Sequence, residues 1–286
     1  MDCGLVDRSE RGKLALSGED RKAFLNGQVT NDVEALEPGQ GLYAAFLTPK
    51  GKMLGDLRVL DADGELLLDT ERVALQSLFD ILRRASIGHR VGLHKRTLER
   101  GLLSLVGVPG EGPEHSHRED TVAGRPVRRI TTDLGTDVLC DADDAETVKA
   151  ALLADGLSEL TEEQADVLRV EHGRPRYGID LDDSVIPQEA GLNDRAVSFT
   201  KGCYVGQETV ARLFYKGKPN RHLRGIRLPA PAEPGTPLTL EGKEVGRVSS
   251  PVVSPTLGPV ALALVRREAP PGTTLDDGSA VVELPF

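Results

Sequence analysis

Cys203 is the residue of this sequence with the sharpest chemistry. It sits in the run Lys201-Gly202-Cys203-Tyr204-Val205-Gly206-Gln207-Glu208. Lys201 lies two positions before it, and Gln207–Leu213 reads as the start of a short helix just after it. A nearby cation and a helix N-terminus both favour thiolate over thiol. Gly202 and Gly206 let the backbone turn tightly or approach a ligand closely. Such a cysteine can be a nucleophile, a redox sensor or a ligand to metal or sulfur; equally, a lone cysteine in a glycine-containing loop can be structural. An iron–sulfur cluster normally needs about four protein ligands, mostly thiolates. Cys3 and Cys140 stand far away, with no ligand spacing between them and no Cys/His cluster that suggests zinc. The chain is therefore expected to hold no metal of its own. It can lend one ligand transiently, or protect or release a cluster held by another protein.

Carboxylates supply the next candidates. Glu171, in Arg169-Val170-Glu171-His172-Gly173, ends a helix and is read as pointing toward the following loop. A carboxylate there can accept the paired N–H groups of an amino-pyrimidine edge, or it can simply pair with an arginine. Asp56 follows the turn Lys50-Gly51-Lys52, and buried unpaired it would be costly, so it is either exposed or part of a site. Asn31-Asp32 reads as a polar turn or cap. His115 and His117 fall in the polar stretch Pro109–Asp120, which reads as a solvated surface loop.

These residues must be held by regular elements. Lys13–Leu16 reads as a strand, then a helix capped by Ser17 runs to about Asn26. Strands follow over Leu42–Leu47, Leu54–Leu60 and Glu65–Asp69, the first two joined by the turn at residues 48–52. Glu71–Ser86 places Leu75, Leu78, Phe79 and Leu82 on one helical face. A second strand-then-helix unit spans Thr136–Cys140 and Ala145–Ala154, so the two units read as related α+β lobes. Thr161 and Gln164 make a capping box for a helix that ends at Gly173. Residues 174–209 are loop-rich, which in a compact domain usually signals function. From Arg221 onward, short strands between Pro/Gly turns predict a small all-β barrel, with the boundary near Gly217–Asn220.

Composition narrows the class. The 286 residues are 39% apolar and 28% charged, as in an ordinary globular protein, and aromatics are only 3%. A net charge of −10 argues against general nucleic-acid binding. Three separate cysteines, an N-terminus without an apolar signal segment and no membrane-length apolar run predict a cytoplasmic protein with no membrane partner. No phosphate-binding glycine loop, dinucleotide fingerprint or G-x-S-x-G elbow is present.

The run Lys201–Glu208 resembles the K-G-C-[FY]-x-G-Q-E motif of YgfZ-type proteins, within the glycine-cleavage T-protein (aminomethyltransferase) superfamily. Gly18–Asp20 through Phe24–Asp32, Lys50–Met53, Arg169–Gly173, Ile186–Glu189 and Thr209-Val210-Ala211-Arg212 extend the likeness, as do Gly246–Ser250 and Ser254–Gly258 in the C-terminal part. The resemblance covers nearly the whole chain. It implies an α+β fold in which residues 1–217 form a multi-lobed, T-protein-like folate-binding region and residues 218–286 a small C-terminal β-barrel. It also implies a tetrahydrofolate pocket, with Glu171 as the pterin-binding acid, Tyr43 lining it, and Asn31 and Asp32 nearby. Cys203, Lys201 and Asp56 become the candidate reactive residues, and Gly202, Tyr204, Gly206, Gln207, Glu208 and Arg212 the motif residues. The implied role is support of iron–sulfur cluster assembly or repair in client enzymes, tRNA-modifying ones included, with folate and iron–sulfur client or assembly proteins as partners and no direct nucleic acid. The alternative is a folate-dependent aminomethyl or other one-carbon transferase. Against that alternative, the transferases' Asp-Asp pair reads Gly55-Asp56 here, and their second-lobe Gly-Glu segment appears only as Arg129–Gly135. Transferases also lack the cysteine motif.

Overall fold

The structure is a computed structural model, and it describes residues 3–286. Three sheets form three lobes. The chain begins in the second lobe: β1 (Gly4–Asp7) pairs antiparallel with β7 (Arg100–Val106) and parallel with β11 (Ser158–Glu159). The rest of that six-stranded sheet is β8 (His117–Val122), β9 (Arg125–Thr132) and β10 (Gly135–Asp141), with α3 (Ala145–Ala154) packed on one face.

The first lobe is an antiparallel sheet of β2 (Gly12–Ser17), β3 (Gly41–Leu47), β4 (Met53–Asp61), β5 (Glu65–Thr70) and β6 (Gly92–Lys95), in the order β3-β4-β5-β2-β6. Helix α2 (Arg72–Ala85) buries Leu75, Leu78 and Leu82 against it, with Phe79 at the margin, as the helical spacing predicts. The short helix α1 (Arg21–Asn26) adds Phe24 and Leu25 to the same core. Its N-cap is Asp20, without a side-chain cap bond; Ser17 instead ends β2, so the predicted Ser17 cap does not form.

Helix α4 (Glu162–Glu171) starts on the expected capping box of Thr161 and Gln164 and packs against the third lobe. Residues 172–206 are largely irregular yet not loose. Leu181, Val185, Ala190, Leu192, Ala196, Val197 and Tyr204 form one buried cluster with Ala45, Leu47 and Met53 of the first lobe. Within this stretch only α5 (Asn193–Ala196) is helical, and α6 (Gln207–Lys216) follows it.

The third lobe is an antiparallel sheet in the order β13-β14-β15-β12-β16, built from β12 (Arg221–Arg227), β13 (Pro237–Leu240), β14 (Lys243–Ser254), β15 (Gly258–Arg266) and β16 (Ala280–Val282). Bulges near Leu238/Thr239 and Val248/Ser250 curl it into a half-barrel around Ile226, Val248 and Val281.

The stretch Pro109–Asp120 departs from expectation. Its end forms β8, where His117 is buried and its Nε2 donates to the Gln40 carbonyl at 3.2 Å. The charged sequence His-Arg-Glu-Asp-Thr-Val hides this strand because its polar side chains pair with arginines on β9.

Candidate functional site

The first two lobes and the segment 169–195 enclose a central cavity. Tyr43 on β3 and Asp56 on β4 are diagonal neighbours, since Tyr43 opposes Arg58 and Ala45 opposes Asp56. That offset is within reach of an aromatic side chain. Tyr43 Oη donates to Asp56 Oδ2 at 2.6 Å. Burial pushes the Asp56 carboxyl up to about 6; the Tyr43 bond opposes the shift and the Glu71 charge adds to it. Burial and the Asp56 charge raise the Tyr43 hydroxyl well above its ordinary value, so it remains a donor.

Around this pair runs a lattice of ion pairs. The cavity is lined by seven arginines and six carboxylates, in a chain whose totals are 35 cations and 45 anions. Arg58 bridges Asp69 (2.6 Å) in the first lobe to Asp137 (2.7 Å) in the second, and Ser104 Oγ donates to Asp137 at 2.6 Å. Arg11 pairs with Asp69 at 2.8 Å and also with Glu71. Arg8 holds Glu162 through two bonds of 3.0 Å. Arg169 reaches Asp166, Asp180 and Ser250 Oγ, the last in the third lobe, at 2.7–2.9 Å. Arg58, Arg169 and Asp180 are the most deeply buried of these charges, so removing a partner there leaves a desolvated charge uncompensated.

One side of the cavity belongs to residues that sequence reasoning left outside the site. Asp133 occupies the two-residue connection between β9 and β10 and lines the cavity. Burial raises its carboxyl, but Arg195 and Arg174 outweigh that and hold it below the usual range. Arg195 lies over the Tyr43 ring, 5.4 Å from its centroid, and pairs with Glu114. His115 also lines the cavity and stacks on Tyr43 at 6.4 Å, so it is not the solvated loop residue expected. Burial, then the Arg58 and Arg195 charges, push its imidazole down to about 3, so it stays neutral. His115 Nδ1 and Arg195 Nε are buried without a hydrogen-bond partner. No periodicity marks these positions; the one available signal was the polar T-T-D-L-G turn at residues 131–135.

Several predicted residues lie elsewhere. Glu171 does not line the cavity. Its carboxylate accepts from Ser254 Oγ at 2.5 Å and its carbonyl from the Phe286 amide, so it ties α4 to the third lobe. Asn31 and Asp32 do not line the cavity either. Asn31 Nδ2 instead donates to the carbonyls of Tyr43 (2.9 Å) and Arg195 (3.3 Å), fixing the backbone of two cavity residues. Asp32 Oδ1 accepts from the Ala35 amide at 3.3 Å, an ordinary turn contact.

The cysteine motif forms a separate outer site. Cys203 is exposed and does not line the cavity. Lys201 is buried; its Nζ donates to the carbonyls of Val29 (2.8 Å), Asn31 (2.9 Å) and Asn26. Burial lowers its ammonium to about 8, with Asp32 and Glu34 pulling the other way. All three ammonium protons are thus engaged by the first-lobe loop, and Lys201, expected as the nearby cation that favours the thiolate, turns its charge inward. Tyr204 is buried beneath that ammonium, 5.2 Å from it. Gly206 has φ +86 and begins α6, where a Cβ would stand 2.6 Å from the Thr48 carbonyl. The motif therefore packs onto the Thr48–Lys52 turn. Gln207 donates its amide to the Tyr204 carbonyl, while Glu208 and Arg212 are exposed on α6. Among the described residues, no cluster of His, Cys, Asp and Glu could hold a metal, and no helix is long and apolar enough to cross a membrane.

Comparison with known proteins agrees with this architecture. The GCVT N-terminal domain model matches residues 1–110, and the glycine cleavage T-protein C-terminal barrel domain model matches residues 221–279. An aminomethyltransferase of Synechococcus is 30% identical over 93% of this chain and 80% of its own length. A candidate chloroplastic transferase of Arabidopsis thaliana is 30% identical over 86% of this chain, which spans 61% of that relative's length. The tRNA-modifying protein YgfZ of Colwellia psychrerythraea is 28% identical over 77% of this chain and 70% of its own length. Among solved structures, the glycine cleavage system aminomethyltransferase T of Bartonella henselae superposes with a TM-score of 0.86 at 25% identity, covering 100% of this chain and 86% of that one.

Proposed function

From the premise that the chain belongs to the glycine-cleavage T-protein superfamily, as a member of its YgfZ type, we propose that it is a cytoplasmic tetrahydrofolate-binding protein that supports iron–sulfur cluster assembly or repair in client enzymes, tRNA-modifying enzymes among them. The observation that carries this reading is the pairing of a central, aromatic- and carboxylate-lined cavity with a separate exposed thiol.

The cavity's chemistry suits a folate. Tyr43, His115 and Tyr177 put aromatic rings in its wall, against which a bicyclic heterocycle can pack. Asp133, ionised, is an acceptor for an amino-pyrimidine edge. Arg195, whose Nε lacks a partner among the described residues, can donate to a carboxylate of a glutamyl tail. The unpartnered His115 Nδ1 and Arg195 Nε fit a site that gains partners with a ligand or water. When bound, the folate would supply one-carbon carrying capacity; the chain's residues bind and orient it. Cys203, outside the cavity, is accessible to a protein-borne cluster. A hydrogen-bonded route joins Lys201, two residues before the thiol, to the cavity wall: Lys201 to the Asn31 carbonyl, then the Asn31 side chain to the Tyr43 carbonyl.

The test is rescue in a strain deleted for the gene, read as the activity of a cluster-dependent enzyme. Wild type is expected to restore it and Cys203→Ala to fail, while both bind folate alike. Full rescue by Cys203→Ala overturns the central role of the thiol.

One observation favours a second reading, a one-carbon transferase. The Asp56 carboxyl, at about 6 and bonded to Tyr43, is poised to exchange a proton with a bound amine near neutral pH. That reading requires turnover with an aminomethyl donor and tetrahydrofolate, lost in Asp56→Ala.

A further inference from the structure

Helix α6 presents an unusual surface for this chain. Between Phe199 and Asn220 the one carboxylate is Glu208, against Arg212, Lys216, Lys218 and the buried Lys201, although the whole protein carries −10. Lys50, exposed in the turn that packs under Gly206, adds a further cation to the same side. Arg212, Lys216 and Lys218 are exposed and have no carboxylate partner among the described residues, whereas the cavity arginines are paired. At helical spacing Arg212, Tyr215 and Lys216 fall on one outer stripe, which Glu208 opens at the N-terminal end, leaving it net cationic toward the C-terminus. Tyr215 is 67% exposed and Phe214 47%. Phe199 stacks on Phe214 with centroids 3.8 Å apart, and Tyr215 meets Phe214 edge-on at 5.1 Å, so the aromatic group is held in place while exposed.

We propose that the outer face of α6, formed by Arg212, Tyr215 and Lys216, with Lys218 just past its end and the Phe199–Phe214 stack beside it, docks an acidic segment of a protein partner that carries an aromatic or aliphatic anchor. Preordered aromatics flanked by arginine are what concentrates binding energy at protein interfaces, and unpaired cations on an acidic chain steer an acidic partner to that one face. A nucleic acid fits less well. Phe214 has one face covered by Phe199 and its edge met by Tyr215, so no row of free ring faces exists, and a chain at −10 repels a long polyanion. The inference rests on the proposed service to client proteins, for which it names a contact surface on the helix that follows the Cys203 motif.

The test uses the full chain and two variants, Tyr215→Ser and the charge reversal R212E/K216E/K218E, all at exposed positions. Fluorescence anisotropy is read with a labelled peptide of alternating Asp and Glu around a central Leu-Phe pair, and with a 15-nucleotide oligouridine. Wild type is expected to bind the peptide, with affinity falling several-fold from 50 to 200 mM salt, at least tenfold weaker in the charge reversal and weaker in Tyr215→Ser. The charge reversal is also expected to lose rescue of the deletion strain while binding folate normally. Equal peptide binding by wild type and charge reversal, or no binding, overturns the proposal; so does tighter binding of the oligouridine, or a dimer that the charge reversal dissociates. Failure of wild type itself to rescue sinks the proposed function, while the peptide measurement still reads the surface.

Discussion

Lys201 and Cys203 stand two residues apart on opposite sides of the solvent boundary. The Lys201 ammonium is buried among the carbonyls of Asn26, Val29 and Asn31, and the Cys203 thiol is exposed. The lysine therefore acts on the fold rather than on the sulfur. Lys201→Met should cost about 2–4 kcal/mol, because buried carbonyls lose a charged donor, read as a lower urea midpoint. In a Cys3→Ser background, the rate of Cys203 alkylation by iodoacetamide in the folded protein should stay within about twofold. A tenfold drop in that rate without a stability change would restore Lys201 as the activator of the thiol.

Asp56 carries a pH signature of definite sign. Its carboxyl lies at about 6 in the folded chain against an ordinary 3.8, so between those values the folded state holds a proton that the unfolded state has lost. Stability from this group is present below about 4 and falls as pH rises to about 6, by up to about 3 kcal/mol. Asp69, held well below its ordinary value against burial by Arg58 and Arg11, works in the opposite direction and acts at lower pH. Asp56→Asn should therefore be more stable than wild type at pH 7, with the gap closing by pH 4, in paired denaturation curves. A gap independent of pH would contradict the raised carboxyl.

How much of this was readable before the fold was known depended on whether the signal was local. Leu75, Leu78 and Leu82 lie one helical turn apart, and the Thr161–Gln164 box is a contact within one turn; both formed as read. The cavity is not local. His115 and Asp133 come from the second lobe, Tyr43 and Asp56 from the first, Arg195 from the irregular segment, and only tertiary packing brings them together. Glu171 lies outside the cavity for a related reason. The last turn of α4 faces the third lobe, so its carboxylate reaches Ser254 rather than the following loop. Lys201 illustrates the same limit at short range, since sequence proximity to Cys203 says nothing about which side of the boundary each side chain takes.

The two motif glycines make an internal control. Gly206 has φ +86, and a Cβ there would stand 2.6 Å from the Thr48 carbonyl, whereas nothing lies within 4 Å of a Cβ at Gly202. Gly206→Ala should cost about 1–3 kcal/mol through backbone strain and the clash, and Gly202→Ala within about 0.5 kcal/mol. Urea denaturation of the pair checks this. Equal costs would mean that the motif does not pack on the Thr48–Lys52 turn as described.

The exchange of roles between Glu171 and Asp133 gives the most direct test of the cavity. Asp133 is an ionised carboxylate in the cavity wall, paired with Arg174 and 3.5 Å from Arg195, while Glu171 is bound to Ser254 away from it. If a folate's amino-pyrimidine edge is read in this cavity, Asp133→Asn should weaken binding of 5-formyltetrahydrofolate by about 10–100-fold, the worth of a charge-assisted hydrogen bond of about 1.5–3 kcal/mol. Glu171→Gln keeps an acceptor for Ser254, so it should leave that affinity within about twofold and lower stability by no more than about 1–2 kcal/mol. Titration calorimetry measures the first quantity and urea denaturation the second. Because Asp133 also pairs with two arginines, its variant must be shown to unfold at a midpoint close to wild type before the affinity is compared. The reverse pattern, with affinity lost in Glu171→Gln and kept in Asp133→Asn, would place the ligand against α4 and the third lobe instead of between the first two.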